Sequence, residues 1–443
     1  MMLRRKMMAE LIRWRESGPE KKCLMIRGAR QVGKTYLVRE FGKSYTNYIE
    51  LNFIEHPEYS NIFSGSLDVD TMQLNISALF PSAVFTPGET LILLDEIQES
   101  PEALTSLKFW TLDHRYDVIA TGSTLGIDYK TSSSFPVGHV KALEMTSLDF
   151  EEFLWAKGMK EEVIERVRTC FQNREAVPSV IHDRMMQLMK EYLITGGMPE
   201  VVKHFLASNN LASMDEIQRQ IYADNIDNIA HYAPSQIRMR TQKCYRSIPA
   251  QLSKENHKFQ YKIVEQGGTS TRFETCLDWL EKAYLILPVH HVSAIGFPLD
   301  SFREEGTFRI YPTDIGMLIA AYPFLVKGAL WENENLEDQP RNLIVGQAKG
   351  GIYEALAADM LYKRGYRDLF YLKDQKSTRE VEFFITNQDG IIPVEIKAGR
   401  NRANSLGHLL ENPMIPYGYK LSSQNVGVTG KRITLPLYMM MFL

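Results

Sequence analysis

The chain reads as a multidomain α/β protein that opens on a parallel-sheet domain and closes on a second, mixed α/β module. Three observations carry that reading. Short apolar runs alternate with amphipathic stretches up to Leu148, the pattern of strands joined by crossover helices. A glycine-bearing block, Gly28-Ala29-Arg30-Gln31-Val32-Gly33-Lys34-Thr35, follows the first of those runs. Acidic and apolar residues alternate in Val381 to Ile385 and again in Pro393 to Lys397. The 443 residues exceed one ordinary core, since domains commonly hold about 100–200 residues.

Taken in order, Cys23 to Ile26, Tyr48 to Leu51, Leu91 to Leu94 and Val118 to Ala120 are the strand candidates, with helices expected over Thr71 to Phe80 and Glu102 to Leu112. Continuous apolar runs fit strands covered on both faces. From Asp149 to Tyr232 the apolar residues fall at helical spacing, as in Met185, Leu188, Met189 and Tyr192, which suggests a helical lid. Between Ala233 and Pro312 a basic helical stretch precedes Leu277, Leu280, Leu285 and Ile286 and then short strands, an order compatible with a winged helix. From Thr313 onward a helix around Ile352 to Leu361 and strands near Phe370 to Leu372, Val381 to Ile385 and Ile391 to Ile396 fit a separate α/β module. The expected domains are therefore 1–148, 149–232, 233–312 and 313–443.

Composition sets broad limits. With 44% hydrophobic and 24% charged residues the chain has the make-up of a soluble globular protein, and a net charge of −3 gives no general argument for nucleic acid. No run approaches the roughly 18 apolar residues of a membrane span, and the N-terminal MMLRRKMMAELIRWRES lacks an apolar signal core, so a cytoplasmic protein without membrane contact is expected. Cys23, Cys170, Cys244 and Cys276 are far apart in sequence and are read as ordinary reduced residues.

The glycine-bearing block has the form of a P-loop, set between the strand Cys23 to Ile26 and the helix opening at Lys34. Gly28 and Gly33 permit a tight turn whose N–H groups face the phosphates of ATP. Lys34 then reaches the β- and γ-phosphates, and the Thr35 hydroxyl ligates Mg²⁺. The run Leu91 to Leu94 ends in Asp95 and Glu96, the form of a Walker B segment. Asp95 is expected to hold Mg²⁺ through water and Glu96 to orient or deprotonate the attacking water. The strand Val118 to Ala120 ends in Thr121-Gly122-Ser123, which makes Thr121 or Ser123 the candidate sensor of the γ-phosphate. The chemistry expected is ATP hydrolysis.

Arg27 to Thr35, Leu94-Asp95-Glu96-Ile97-Gln98, Thr121-Gly122-Ser123 and Thr195-Gly196-Gly197-Met198-Pro199-Glu200, in this order, resemble the AAA-type ATPases of bacteria and archaea that carry a C-terminal domain of unknown function. The resemblance implies an ATPase core of the AAA/ASCE type with a strand inserted between the Walker strands, then a helical lid and a winged helix. It also implies an adenine contact from Gly197-Met198-Pro199; a helix-breaking turn is the alternative. Relatives often carry Gly-Arg where this chain reads Gly138-His139, so a family arginine finger is missing there, with Arg30 and Arg115 as substitutes.

Between Ser235 and Thr275 eight Lys or Arg stand against three acids. Arg238, Arg240, Lys243 and Arg246 mark one or two helix faces that would bind DNA phosphates, or else a solvated face docking on a protein partner. In the last module Glu354, then Val381-Glu382-Phe383-Phe384-Ile385, then Pro393-Val394-Glu395-Ile396-Lys397 look like the PD-(D/E)xK nuclease superfamily. That resemblance implies Mg²⁺ or Mn²⁺ at Glu382 and Glu395, completed by Glu354, with Lys397 orienting water. Relatives commonly have aspartate in place of Glu382, and some modules of this fold have lost cleavage. The readings left open are an ATPase coupled to nucleic-acid binding or processing, an ATP-gated protein-interaction switch or homo-oligomer, and an ATP-regulated nuclease.

Overall fold

The computed structural model describes residues 3–18, 20–122, 136–254, 256–332, 342–373, 380–397 and 404–443. They form two compact units that divide between Ser147 and Leu148.

The first unit contains α1 (Met7–Arg15), β1 (Cys23–Arg27), α2 (Lys34–Gly42), β2 (Asn47–Asn52), α3 (Val69–Leu79), β3 (Thr90–Asp95), α4 (Pro101–Asp113), β4 (Asp117–Thr121) and β5 (Val140–Glu144). Its five strands lie in the order β2-β3-β4-β1-β5, every neighbouring pair parallel. The strand inserted between the two Walker strands is β4, as the resemblance implied. In a parallel sheet all strand C-termini share one edge, so Arg27, Asp95 and Thr121 end side by side. β3 and β4 are buried along their whole length. Helices cover both faces, which is why these runs are continuously apolar rather than alternating. Burying each Leu or Ile of the strands stabilises the sheet by about 1.5–3 kcal/mol. α4 begins where Ser100 accepts a hydrogen bond from the Ala103 N–H with Pro101 behind it, and it stops at His114, held at φ 62°. β5 was not among the expected strands. Its residues are half-buried or exposed and show no apolar run, so only pairing with Cys23 to Arg27 defines it.

The second unit begins with five helices, α5 (Phe150–Ala156), α6 (Glu161–Asn173), α7 (Ser179–Thr195), α8 (Pro199–Ser208) and α9 (Leu211–Tyr232). Asp149 and Glu152 form a capping box at the start of α5. Next come α10 (Arg238–Leu252), α11 (Tyr261–Val264), α12 (Ser270–Lys282), β6 (Ile286–Val292), β7 (Arg303–Pro312), α13 (Ile315–Ala321), α14 (Phe324–Glu332) and α15 (Asn342–Lys363). The chain closes with β8 (Leu369–Lys373), β9 (Glu380–Asn387), β10 (Gly390–Ile396), α16 (Asn404–Leu409), β11 (Gly418–Ser422), β12 (Gly427–Thr429) and β13 (Arg432–Pro436).

Its eight strands form one sheet in the order β12-β13-β11-β10-β9-β8-β6-β7. The helix-then-strand order expected over this stretch is present, with α10 to α12 preceding the antiparallel pair β6 and β7. However, β6 pairs with β8 in parallel as well as with β7, so the boundary expected at 312/313 falls inside a continuous sheet. The helices expected as a lid share this unit too. The Gly197 N–H donates to Asp314 Oδ2 at 2.9 Å, and a Cβ at Gly197 would lie 2.0 Å from the Leu148 carbonyl oxygen, so only glycine fits there. Close packing thus accounts for Gly197, while Pro199 opens α8. All four cysteines are free and buried, and the Cys276 thiol on α12 faces the Ile237 and Arg272 carbonyls at 3.9 Å.

Candidate functional site

The P-loop joins β1 to α2 through three residues in the left-handed region, Gly28 at φ 145°, Gln31 at 62° and Gly33 at 94°. A Cβ on Gly28 would meet the Met145 carbonyl oxygen at 2.1 Å, so the loop closes against the end of β5 only because that position is glycine. Arg5 braces it from the N-terminal segment, donating to the Val32 carbonyl at 2.9 Å and the Thr146 carbonyl at 2.6 Å.

Lys34 is buried, and its ammonium donates to the Gly28 and Ala29 carbonyls at 3.0 and 2.8 Å. Burial pushes this lysine down to about 8, with Glu96 and Asp95 opposing the fall and Arg30 adding to it. At the neighbouring strand end the Thr35 hydroxyl donates to Asp95 Oδ1 at 2.9 Å. Thr121 donates to the same oxygen, and Asn52 Nδ2 donates to Oδ2 at 3.0 Å. Burial raises Asp95 above the usual carboxylate range, while the Thr121 and Thr35 hydrogen bonds pull it back.

Glu96 stands at φ 54°, an uncommon backbone state for a side chain with a Cβ and a form of local strain of the kind that collects at functional sites. Gln98 Nε2 donates to its carboxylate at 2.5 Å. A Cβ on Gly122 would approach Gln98 Oε1 to 2.6 Å, so Gly122 makes room for Gln98.

The donor set suits a nucleotide carrying Mg²⁺. Thr35 spends its proton on Asp95, which leaves its oxygen lone pairs for a cation, and hard oxygen donors are the ligands Mg²⁺ takes. Thr121 is fully buried against Asp95, and Ser123 lies outside the described residues. Arg115 is tied to Asp113 at 2.8 Å and Asp70 at 2.7 Å just before β4, and His139 just before β5. Both therefore sit at the sheet edge opposite the P-loop, so Arg115 does not replace a finger within this unit. Asn52, Arg5 and Gln98 complete the site without having been assigned a task from sequence. Asn52 ends a strand that pairs with the Walker B strand, and that adjacency was the only available signal.

The second constellation lies in the C-terminal sheet. Lys397 Nζ sits 3.2 Å from Glu395 Oε1 and 3.7 Å from Glu382 Oε1, and Glu382 Oε2 accepts from the Ile396 N–H at 3.1 Å. The three residues thus meet as expected. Burial pushes Glu382 well above the usual carboxylate range, Lys397 opposing and Glu354 and Glu395 adding to the rise. Glu354 is differently employed: its Oε2 meets His257 Nδ1 at 2.8 Å, Arg309 Nη1 at 3.1 Å and Tyr311 OH at 2.8 Å. Burial works to raise Glu354, but Arg309, His257 and Tyr311 together hold it well below the usual range. Among the described residues no group of three or more His, Cys, Asp or Glu side chains is arranged to hold a metal ion. Glu354 is thus not gathered with Glu382 and Glu395 into a three-carboxylate group, its Oε2 being held by Arg309, His257 and Tyr311.

On α10, Arg246 and Lys243 are exposed, and Arg238 and Arg240 are half-buried. Lys243 pairs with Glu265 at 2.7 Å, which also takes Arg272 at 2.9 Å. Arg238 Nε donates to the Ala233 carbonyl at 3.2 Å. No helix among the described residues is long and apolar enough to cross a membrane.

Residues 20–154 match the family model of the AAA domain. Residues 186–327 match the domain of unknown function DUF8612, and residues 349–434 match the domain of unknown function DUF4143. No curated protein sequence matches the chain. Among solved structures it is similar to the Walker-type ATPase PABY2304 of Pyrococcus abyssi, with 15% identity and a TM-score of 0.43 over 72% of this chain and 96% of that one. It is also similar to the ORC1 protein of Aeropyrum pernix in complex with DNA, at 12% identity, TM-score 0.30, 72% and 93%. A third similarity is to AMPPCP-bound DnaA from Aquifex aeolicus, at 14% identity, TM-score 0.29, 62% and 88%. None of the three overlaps well enough to lay one site on another. The family match and the strand order make the first unit an ATPase-type P-loop domain.

Proposed function

We propose that this chain binds and hydrolyses ATP in its AAA domain and couples the nucleotide state to nucleic-acid engagement by the second unit. The observation that carries the ATPase reading is the Thr35–Asp95 hydrogen bond beside Lys34, with Glu96 next in the chain. Bound with ATP, Mg²⁺ would neutralise charge on the phosphates and align them for attack. Thr35 and Asp95 would hold it. Lys34 exchanges its carbonyl acceptors for phosphate oxygens, and the P-loop N–H groups face the same anion. Glu96 orients the attacking water and takes its proton, and Asn52 fixes Asp95 while this happens.

The nucleic-acid reading draws on the basic face of α10, with Arg238, Arg240, Lys243 and Arg246, and on the charged sheet face around Lys397. A second reading, that the C-terminal module binds without cutting, is favoured by the engagement of Glu354 with Arg309, His257 and Tyr311. The test is phosphate release with and without Mg²⁺. Lys34→Ala and Glu96→Gln are each expected to lose turnover by about 10²-fold or more while melting like the wild type. Unchanged turnover in Lys34→Ala would remove the nucleotide-site assignment. Incubating DNA with Mg²⁺ or Mn²⁺ separates the two readings of the module. Cutting by wild type but not by Lys397→Ala selects a metal-dependent nuclease, and intact DNA in both selects a binding module.

A further inference from the structure

In the second unit one face of the sheet gathers charged side chains across three neighbouring strands. Glu395 on β10 is in register with Lys420 on β11, and Lys420 with Thr434 on β13. Alternate residues of a strand share a face, so Lys397 and Arg432 join them. Ile433 and Leu435 point the other way, into the core.

Burial makes these charges expensive. Lys420 is only 8% exposed, and Glu395 is fully buried. Cations removed from water are ordinarily paired with a carboxylate. Among the described residues, the Lys420 ammonium makes no ion pair or side-chain hydrogen bond, and the Glu395 carboxylate acts on it only through space. Arg432 Nε is buried without an acceptor, and beyond its 3.2 Å contact with Lys397 neither oxygen of Glu395 accepts a hydrogen bond. Orphaned groups collected in one place point to a partner that supplies the missing contacts. The place is open to solvent on one side, because β12 is exposed throughout and Arg432 and Thr434 are half-exposed.

Spacing selects the class of partner. Adjacent strands lie about 4.7–4.9 Å apart and residues rise about 3.3 Å each, and Lys397 (just past β10) and Arg432 (β13) stand two residues to either side of the level of Lys420 (β11), so the three form a diagonal cationic row about 16 Å long. That exceeds the span of one carboxylate or one phosphate and suits successive charges along an extended backbone. No aromatic side chain stands in the row, so it offers backbone contacts without base stacking. The planar fork of Arg432 matches two phosphate oxygens, and Lys420 supplies a point charge beside it.

We propose that Lys420 and Arg432 form a phosphate-binding pair that seats the backbone of a nucleic-acid strand leading to Lys397. The assignment rests on the nucleic-acid reading above and adds where the strand lies.

The experiment is fluorescence anisotropy of a labelled single-stranded oligodeoxynucleotide against the full chain, titrated over a salt series. Lys420→Ala and Arg432→Ala are each expected to weaken binding by about five- to twentyfold and to lower the slope of log K against log salt by about 0.7. Lys420→Arg is expected to retain the wild-type slope, and ATP turnover should match wild type in all three variants. Melting curves establish that each variant folds; Lys420→Gln, which keeps volume, replaces any that does not. If wild type binds DNA and both alanine variants bind equally well, the site lies elsewhere and the nucleic-acid reading survives. No binding by wild type removes the reading and the assignment together. Inorganic phosphate that competes as well as the oligonucleotide, phosphate for phosphate, would make this a small-anion site and overturn the proposal.

Discussion

Around Lys34 each key buried charge has company drawn from nearby strand ends, whereas around Glu395 burial and compensation come apart. Asp95 accepts from Thr35, Thr121 and Asn52. Glu395 has only the 3.2 Å contact from Lys397, while Glu354, in the same unit, takes contacts from Arg309, His257 and Tyr311. A site whose polar groups satisfy one another holds its geometry before ligand arrives. One with orphaned groups depends on ligand to complete it.

The comparison can be broken by removing compensation. Arg309, fully buried, pairs with Glu354 and Glu380, so Arg309→Met leaves the buried Glu354 short of its cation, while the half-buried Glu380 keeps Lys373 at 2.9 Å. A loss of about 3–5 kcal/mol is expected in urea unfolding of the second unit. A loss below about 1 kcal/mol would mean that His257 and Tyr311 suffice for Glu354.

The next effect is at Asn52, which donates to Asp95 and accepts from the Ile54 and Glu55 N–H groups at 3.0 and 2.9 Å. Asn52→Ala frees Asp95 to rotate. The Mg²⁺ concentration for half-maximal ATP turnover is expected to rise by about tenfold, the size of an outer-shell effect on a metal ligand. No change would reduce Asn52 to a turn residue.

The smallest effect is a pH dependence. Burial holds Lys34 at about 8 in the ligand-free site, and contact with phosphate raises it. The complex therefore binds more protons than the free protein above that pH, so ATP affinity falls as pH rises through 8. Between pH 7.5 and 8.5 the protonated fraction drops by about threefold, and Kd is expected to rise by that factor. Lys34→Arg should flatten the profile because guanidinium does not titrate there. A flat wild-type profile would show that Lys34 stays charged throughout.

The nucleotide site was legible in advance because its chemistry is local. One turn of chain supplies Gly28, Gly33, Lys34 and Thr35, and a run of buried strand residues announces Asp95 and Glu96. The pairing of Glu382 with Glu395 and Lys397 was legible for a similar reason, since β9 and β10 are consecutive and antiparallel. Glu354 was placed on the right helix and its charge reaches Glu382, but its contacts with Arg309, His257 and Tyr311 were not foreseen. Its partners Arg309 and His257 come from segments about which its own neighbours carry no information.

The sequence by itself determined the P-loop, the Walker B acids, the strand runs of the first sheet and the face shared by Glu395 and Lys397. All of these follow from backbone periodicity and from steric demands within a few residues. Only the tertiary structure decided that β6 and β7 extend the C-terminal sheet, that β5 flanks β1, and that Arg5, Asn52, Arg309, Lys420 and Arg432 stand where they do. Strand pairing at long range is set by which apolar faces must be buried together, and that choice belongs to the whole core rather than to any one segment.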